Sequence, residues 1–118
     1  MPTTTELLHA NLHDVFGNRD AAARRAAIER TYTEDVTFTD PEGSVTGRDA
    51  VEQKARELLD KTPATFVFAE DGRRYAGPDT GALGWSFGPE GGDPAARGID
   101  IITVRDGPIA TLVTVFAA

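Results

Sequence analysis

The spacing of apolar residues along the chain changes once, from the period of a helix to the period of a strand. Apolar positions recur every three or four residues in 6–16, in the alanine-rich stretch 20–32 and in 48–59. Side chains at that spacing share one face of a helix, so three helices are predicted. Asp20 provides a favourable N-cap for the second helix, and Pro63 ends the third.

Beyond the third helix the apolar period shortens to two, in segments rich in Val, Ile, Phe and Thr. This pattern predicts strands at 65–69, 82–87, 98–104 and 109–116, together with an earlier short strand at 36–39. The Asp106-Gly107 pair is typical of a tight hairpin turn, so the last two strands should be antiparallel neighbours. Helices followed by antiparallel strands predict one α+β domain over residues 1–118.

The faces of the later strands indicate what the sheet packs against. Leu83, Trp85 and Phe87 fall on one face of their strand, whereas both faces of 98–104 and 109–116 are mostly apolar. A sheet that is apolar on both sides needs a cover on each face. The helices can cover one face, and a second copy of the chain is the predicted cover of the other. The expected assembly is a homodimer formed through the sheet.

Composition narrows the classes of partner. The chain has 118 residues, 40% of them apolar, which suffices for one modest hydrophobic core. Its formal net charge of -7 argues against nucleic acid or an anionic membrane as partner, because phosphate groups are bound by clustered Lys and Arg. No apolar segment is long enough to cross a bilayer, and the lack of cysteine fits a reducing, cytoplasmic location. The expected partners are small molecules or copies of the chain itself.

Asp100 is the most unusual residue, since it lies in the apolar segment RGIDIITV between Ile99 and Ile101. A carboxylate in a dry strand loses its hydration, so it must be paired, hydrogen-bonded or protonated. One interpretation is an ion pair with Arg97 or another arginine, or a position at a wetter edge of the sheet. The other is a carboxyl group lining a mostly apolar cavity, with a raised pKa that lets it donate a hydrogen bond.

Asp40 begins the Asp-Pro-Glu-Gly segment that follows the first predicted strand. Aspartate, proline and glycine are favoured at the first, second and fourth positions of a type I turn, so turn formation alone explains this residue. Considered together with Asp100, Asp40 has a second interpretation, because two carboxyl groups in different environments can act as a base and an acid. Both residues are therefore candidate catalytic groups.

His9 and His13 are four residues apart on the first predicted helix and share one of its faces. The segment lacks the glutamate of the zinc-peptidase helix motif, and no third ligand is evident. The sequence therefore predicts no metal site. It also predicts no cofactor, since it holds neither a phosphate-binding glycine loop nor a dinucleotide motif.

Several core-forming residues could also enclose a ligand. Tyr32 and Trp85 combine aromatic surface with a phenol or indole donor, and His13 is a candidate polar contact. The predicted substrate-binding residues are Leu12, His13, Phe16, Tyr32, Trp85 and Phe87.

Two motifs and the order of the elements resemble the SnoaL-like branch of the nuclear transport factor 2-like superfamily. The motifs are YTEDVTFTDPEGSVTGRDAV at 32–51 and RGIDIITVRDGPIATLVTVF at 97–116, and the resemblance covers about 7–116. It implies a cone-shaped fold, in which a strongly curved antiparallel sheet wraps around the N-terminal helices and encloses an apolar pocket. It also implies pairing through the sheet.

The superfamily includes ketosteroid isomerases and polyketide cyclases, and the resemblance implies roles for single residues. The isomerases' base is an aspartate followed by proline in the corresponding turn, which Asp40 matches. Their oxyanion-hole acid is an aspartate before the final hairpin, which Asp100 matches. The tyrosine of their first helix has no counterpart, because Leu12 or a neighbour falls at its place. A nearby histidine or Tyr32 is the candidate substitute.

Three hypotheses of function follow. The first is an isomerase or cyclase that moves a proton next to a carbonyl, with Asp40 as base and protonated Asp100 stabilising the enolate. The second is a non-catalytic module that binds a small apolar ligand in the same pocket. The third is a dimerisation module whose acidic residues are structural. Whether the two carboxyl groups face one cavity distinguishes the third from the others.

Overall fold

The helices precede most of the sheet in the computed structural model, which describes residues 2–118. Helix α1 spans Thr4–His9 and continues as the π-helical segment Ala10–Phe16, α2 spans Ala21–Thr31, and α3 spans Arg48–Lys61. The three predicted helices are confirmed, although the second half of the first is wound as a π-helix. Within residues 2–118, no helix is long and apolar enough to span a membrane.

Polar side chains start the first two helices. The Asp20 carboxylate accepts a hydrogen bond from the Ala23 backbone N–H at 3.0 Å and caps α2, as predicted. Thr3 and Glu6 form a reciprocal capping box at the start of α1. Helices α1 and α2 are therefore each preceded by a residue whose side chain accepts a hydrogen bond from an otherwise free backbone N–H.

Six strands form a single curved sheet that is not closed into a barrel. They are β1 (Tyr32–Asp40), β2 (Gly43–Thr46), β3 (Phe66–Ala76), β4 (Thr80–Pro89), β5 (Ala96–Val104) and β6 (Ile109–Phe116). Their order in the sheet is β2-β1-β6-β5-β4-β3. All five predicted strands are present, β6 at its predicted bounds and the others longer, and the short edge strand β2 is additional.

The sheet is mixed, whereas an antiparallel one was predicted. Four of the five neighbouring pairs are antiparallel, including β5–β6, whose turn places Asp106 and Gly107 at positive φ. The fifth pair, β1 with β6, is parallel. These two strands are separated by α3 and four other strands of the chain, so no hairpin fixes their relative direction. Local turn signals carry no information about such a distant pair.

The hydrophobic core lies between the helices and the inner face of the sheet. Leu83, Trp85 and Phe87 of β4 are all buried there, as their alternation predicted. The helical side of the core includes Leu8, Leu12, Val15 and Ile28. This packing fixes the first helix against the strands that carry the candidate site.

The outer face of the sheet keeps apolar side chains partly in solvent. Val67, Ile101 and Val115 are 39%, 39% and 47% exposed. Apolar residues on both sides of β5 and β6 agree with the pattern from which a homodimer was predicted. The homodimer itself stays a prediction, which sedimentation equilibrium would test.

Candidate active site

A cavity of about 230 Å³ lies between the helices and the inner face of the sheet. Most of its wall is apolar and includes Leu12, Phe16, Phe38, Phe68, Trp85 and Phe87. Asp100 and Thr114 add polar groups from β5 and β6. Charged residues complete the lining, namely Asp40, Glu42, Lys54, Glu57 and Lys61. Both candidate catalytic aspartates therefore line the same cavity.

Asp100 is held by three neutral hydrogen-bond donors. Its Oδ1 accepts from the Trp85 indole N–H at 3.0 Å and from the Thr114 hydroxyl at 2.7 Å. Its Oδ2 accepts from the Asn11 side-chain amide at 2.9 Å. The β5–β6 register places Thr114 opposite Asp100, and the π-helical segment brings Asn11 over the strand. Oδ2 therefore has one protein donor and retains a second acceptor position.

Arg97, the alternative partner considered for Asp100, lies on the opposite face of β5. Residues three apart on a strand point to opposite sides, and the Arg97 Nε lies 3.2 Å from Asp71 Oδ2. The ion pair between Arg97 and Asp100 is therefore absent. Neutral donors, rather than this cation, compensate the buried carboxyl group.

Burial raises the pKa of Asp100 from 3.8 to about 6, although hydrogen bonds from Thr114, Trp85 and Asn11 oppose the shift. The residue is 5% exposed, so loss of hydration dominates. With that pKa, a change of about two pH units centred on 6 converts most of the population from acid to carboxylate. Asp100 can therefore donate a proton in a hydrogen bond at mildly acidic pH.

Tyr32 lies behind this arrangement and does not line the cavity. Its hydroxyl donates to Asn11 Oδ1 at 2.5 Å, while the amide nitrogen of the same asparagine donates to Asp100. Burial raises the pKa of Tyr32 well above its ordinary value, and the charge of Asp100 adds to the shift. Tyr32 is thus a neutral donor that orients Asn11.

Asp40 ends β1, and its contacts fit both interpretations of the residue. Its Oδ1 accepts the Glu42 backbone N–H at 2.9 Å, the contact of an Asx turn. Its Oδ2 lies 3.2 Å from the Lys54 Nζ. Each carboxylate oxygen has two acceptor positions, so the turn contact and the ion pair leave capacity for a further proton. The turn holds the side chain at the cavity wall.

Lys54 of α3 places a positive charge beside Asp40. Its Nζ lies 3.2 Å from Asp40 Oδ2 and 3.1 Å from Glu42 Oε1. Burial lowers the pKa of Lys54, but hydrogen bonds to Glu42 and Asp40 outweigh it and leave the pKa above its usual value. The ammonium group therefore stays charged and fixes the position of the Asp40 carboxylate.

Six of the eight predicted site residues come together at the cavity. They are Asp40, Asp100, Leu12, Phe16, Trp85 and Phe87. His13 does not line it, because Leu12 takes the inward position at this turn and the His13 Nε2 lies 3.9 Å from Glu70 Oε2. Burial and repulsion from His9 lower the pKa of His13. Tyr32 is the other residue outside the cavity lining.

Three of the polar side chains that contact Asp40 or Asp100 were not predicted. Asn11 is fully buried, and an amide within an apolar helical segment is the signal that could have identified it. Counting back from the Asp106-Gly107 turn would place Val113 opposite Asp100, but a register shift between Thr103 and Val104 moves the pairing to Thr114, so the sequence did not identify it. Lys54 carries no such signal, because a lysine on an amphipathic helix ordinarily faces solvent.

The chain's single tryptophan should report the ionisation of Asp100. Trp85 donates its indole N–H to the carboxyl group, so a change of charge there alters the environment of the ring. We expect the tryptophan fluorescence to titrate with a midpoint near pH 6. An Asp100→Asn variant, measured over the same pH range, should show no such transition. A titration that persists in the variant would assign the transition to another group.

The fold and the cavity define a class of protein, an α+β domain in which helices cover a curved sheet and enclose an apolar pocket lined by acidic groups. The family model described as the SnoaL-like domain matches residues 9–112 of the chain. The chain belongs to the SnoaL-like domain family, as its two motifs indicated. Among curated proteins, none matches it.

Solved structures show the same fold at low sequence identity. A candidate isomerase of the SnoaL-like family from Agrobacterium tumefaciens is 18% identical, with a TM-score of 0.85 and 95% of each chain covered. A candidate ketosteroid isomerase from Kribbella flavida is 19% identical, with a TM-score of 0.70 over 94% of this chain and 76% of the other. A candidate SnoaL-like polyketide cyclase from Jannaschia is 11% identical, with a TM-score of 0.75 over 98% and 88%. Such similarity shows the fold and assigns no reaction.

Proposed function

We propose that the protein catalyses proton transfer next to the carbonyl group of a small apolar ketone, as an isomerase or cyclase. Asp40 acts as the general base, and protonated Asp100 donates a hydrogen bond to the carbonyl oxygen. The observation that carries this proposal is that both carboxyl groups line one mostly apolar cavity. A purely structural role for the two acids would not require a shared cavity.

The environments of the two carboxyl groups suit different tasks. Asp40 is ion-paired with Lys54 at the charged part of the wall, whereas Asp100 is surrounded by neutral donors and is 5% exposed. A carboxylate beside a cation remains an acceptor, while a buried carboxyl group is readily protonated. Such a division of two acids into base and donor is an established route to enolisation at moderate pH.

The proposed reaction balances as a proton shift. Asp40 removes a proton from the carbon next to the carbonyl, and the C–H electron pair forms the double bond of an enolate. The Asp100 proton, held in a hydrogen bond, stabilises the charge that develops on oxygen. In an isomerisation, Asp40 returns the proton to the far end of the conjugated system, which moves the double bond. In a cyclisation, the enolate carbon instead attacks a second carbonyl, whose π electrons move to its oxygen, and that oxygen takes up the proton that Asp40 removed.

The cavity limits the substrate. Its volume of about 230 Å³ lies below the roughly 300–1,000 Å³ of pockets for drug-sized ligands. A substrate of one or two rings therefore fits better than a fused four-ring skeleton. The aromatic wall favours an apolar body with a single carbonyl group.

A binding module without chemistry is the second candidate. It is favoured by the contacts that the acids already make, which are three donors to Asp100, and a backbone N–H and Lys54 to Asp40. In that case the carboxyl groups hold a ligand's polar group in place.

The chain contains no cysteine, which fits a reducing environment. A cytoplasmic location therefore stays a prediction, which cell fractionation would test.

Isomerisation of cyclohex-3-enone distinguishes the two candidates. The conjugated product absorbs in the ultraviolet, so the wild-type protein should give a rate above that of buffer alone, increasing as the pH falls toward 6 and Asp100 takes up its proton. Binding of the ketone, seen as a change in Trp85 fluorescence, without conversion of it or of related enones would support the binding module.

A further inference from the structure

A second cluster of functional side chains lies outside the cavity, where the first helix meets β3. His9 ends α1, His13 lies in the π-helical segment, and Glu70 projects from β3. The His9 Nδ1 lies 3.8 Å from Glu70 Oε2, and the His13 Nε2 lies 3.9 Å from the same oxygen. The two imidazole rings are 4.5 Å apart between centroids. Two imidazoles and a carboxylate thus converge on one point.

The distances suit a metal ion better than a hydrogen-bonded contact. The three ligand atoms lie within 4.8 Å of one another. Ligands bound at about 2.0–2.1 Å in tetrahedral geometry are separated from each other by roughly 3.3 Å. Movements of about 0.5–1.5 Å, available to side chains at the surface, would bring all three into coordination. Two nitrogens and one oxygen leave a fourth position for water.

The other carboxylate oxygen of Glu70, Oε1, forms an ion pair with Arg74. Arg74 Nε lies 2.6 Å from Glu70 Oε1, so the guanidinium group restrains the orientation of the carboxylate. Arg74 Nη2 lies 3.2 Å from Oε2, a longer contact. Ligating carboxylates are commonly oriented by such outer hydrogen bonds. Arg74 therefore presents Oε2 to the two rings.

Both imidazole side chains of the chain lie in this cluster. The chain contains two histidines and no cysteine. Their i, i+4 spacing was evident from the sequence, but the third ligand was not, because Glu70 is brought close only by packing of the first helix on β3. Glu70 therefore supplies the third candidate ligand that was not evident from the sequence.

We propose that His9, His13 and Glu70 bind a divalent transition-metal ion, with Zn²⁺ as the representative ion. Two imidazoles and one carboxylate form a donor set that Zn²⁺ uses in proteins. The ion would link the first helix to β3, and the helical turn between the histidines carries Asn11, the donor to Asp100. Binding would therefore stabilise the segment that supports the cavity. This inference does not depend on the proposed enzymatic activity.

The test uses the full chain without an affinity tag, titrated with Zn²⁺ at a pH above the ordinary imidazole pKa of about 6.5. One ion should bind per chain, and the melting temperature should rise with Zn²⁺ concentration. His9→Asn, His13→Asn and Glu70→Gln should each weaken binding by at least about 10-fold. Glu29→Gln removes an exposed carboxylate of α2 and should bind like the wild type.

Co²⁺ gives an independent readout, since its visible absorption is intense in tetrahedral sites. The wild type should show that spectrum, and Glu70→Gln should lose it while its circular dichroism without metal remains unchanged. Saturable binding that depends on the histidines but is equal in the wild type and Glu70→Gln would overturn the three-ligand site. So would the absence of one-to-one binding by the wild type.

Discussion

Replacing Asp40 with asparagine should slow the isomerisation of cyclohex-3-enone by about 10²–10⁴-fold, the usual contribution of a positioned general base. The amide oxygen of asparagine can still accept the Glu42 N–H, so the turn at the end of β1 should persist. The amide cannot take up a proton from carbon at any moderate pH. The substitution therefore removes the proposed chemistry while it keeps the local backbone.

Asp35→Asn is the matched control for that experiment. Asp35 also lies on β1 and also pairs with a cation, its Oδ1 being 2.6 Å from Arg105 Nη2, but it does not line the cavity. Its loss should change the rate by less than about twofold, because surface ion pairs contribute little. If Asp40→Asn and Asp35→Asn have equal rates, Asp40 is a turn residue and the base lies elsewhere.

The second large effect concerns stability and pH. Burial raises the pKa of Asp100 in the folded chain to about 6, above its value of about 3.9 in an unfolded chain. The folded state then binds the proton more tightly, so the associated stability is fully present below about pH 3.9 and is lost as the pH rises through 6. The shift corresponds to about 3 kcal/mol in the free energy of unfolding.

Asp100→Asn should remove this dependence. The asparagine keeps the shape of the side chain, and the Asn11 amide can reverse so that its oxygen accepts the new N–H while its nitrogen faces Tyr32. Urea denaturation of both proteins across the pH range gives the difference in unfolding free energy, in which the contributions of other groups cancel. The wild type should lose about 3 kcal/mol relative to the variant between low and neutral pH. A difference independent of pH would mean that the pKa of Asp100 is the same in the folded and unfolded chains.

Local signals in the sequence account for much of the fold. The helical spacing of Leu8, Leu12 and Val15 marks a buried face, and the last strand was placed at its observed bounds. The Asp106-Gly107 pair indicated the β5–β6 hairpin correctly. Such features depend on neighbouring residues, whose preferences are visible in any single sequence.

The features that could not be predicted from the sequence depend on contacts between residues that lie far apart in the chain. The parallel pairing of β1 with β6 joins the first and the last strand of the chain. Asn11 and Asp100 are 89 positions apart, and nothing local to either indicates the other. The same holds for Glu70 and the two histidines. Asp100 could be identified as unusual because its apolar neighbours are adjacent in sequence, but its partners required the packed structure.

Removal of a proton next to a carbonyl can be observed without a natural substrate. In D₂O, the enolisable hydrogens of cyclohex-2-enone exchange for deuterium, and proton NMR follows the loss of their signals. We predict that the wild-type protein accelerates this exchange above the buffer rate, and that Asp40→Asn returns it to the buffer rate while Asp35→Asn does not. Exchange at the buffer rate in the wild type, or equal acceleration by the wild type and Asp40→Asn, would contradict the claim that Asp40 is the base.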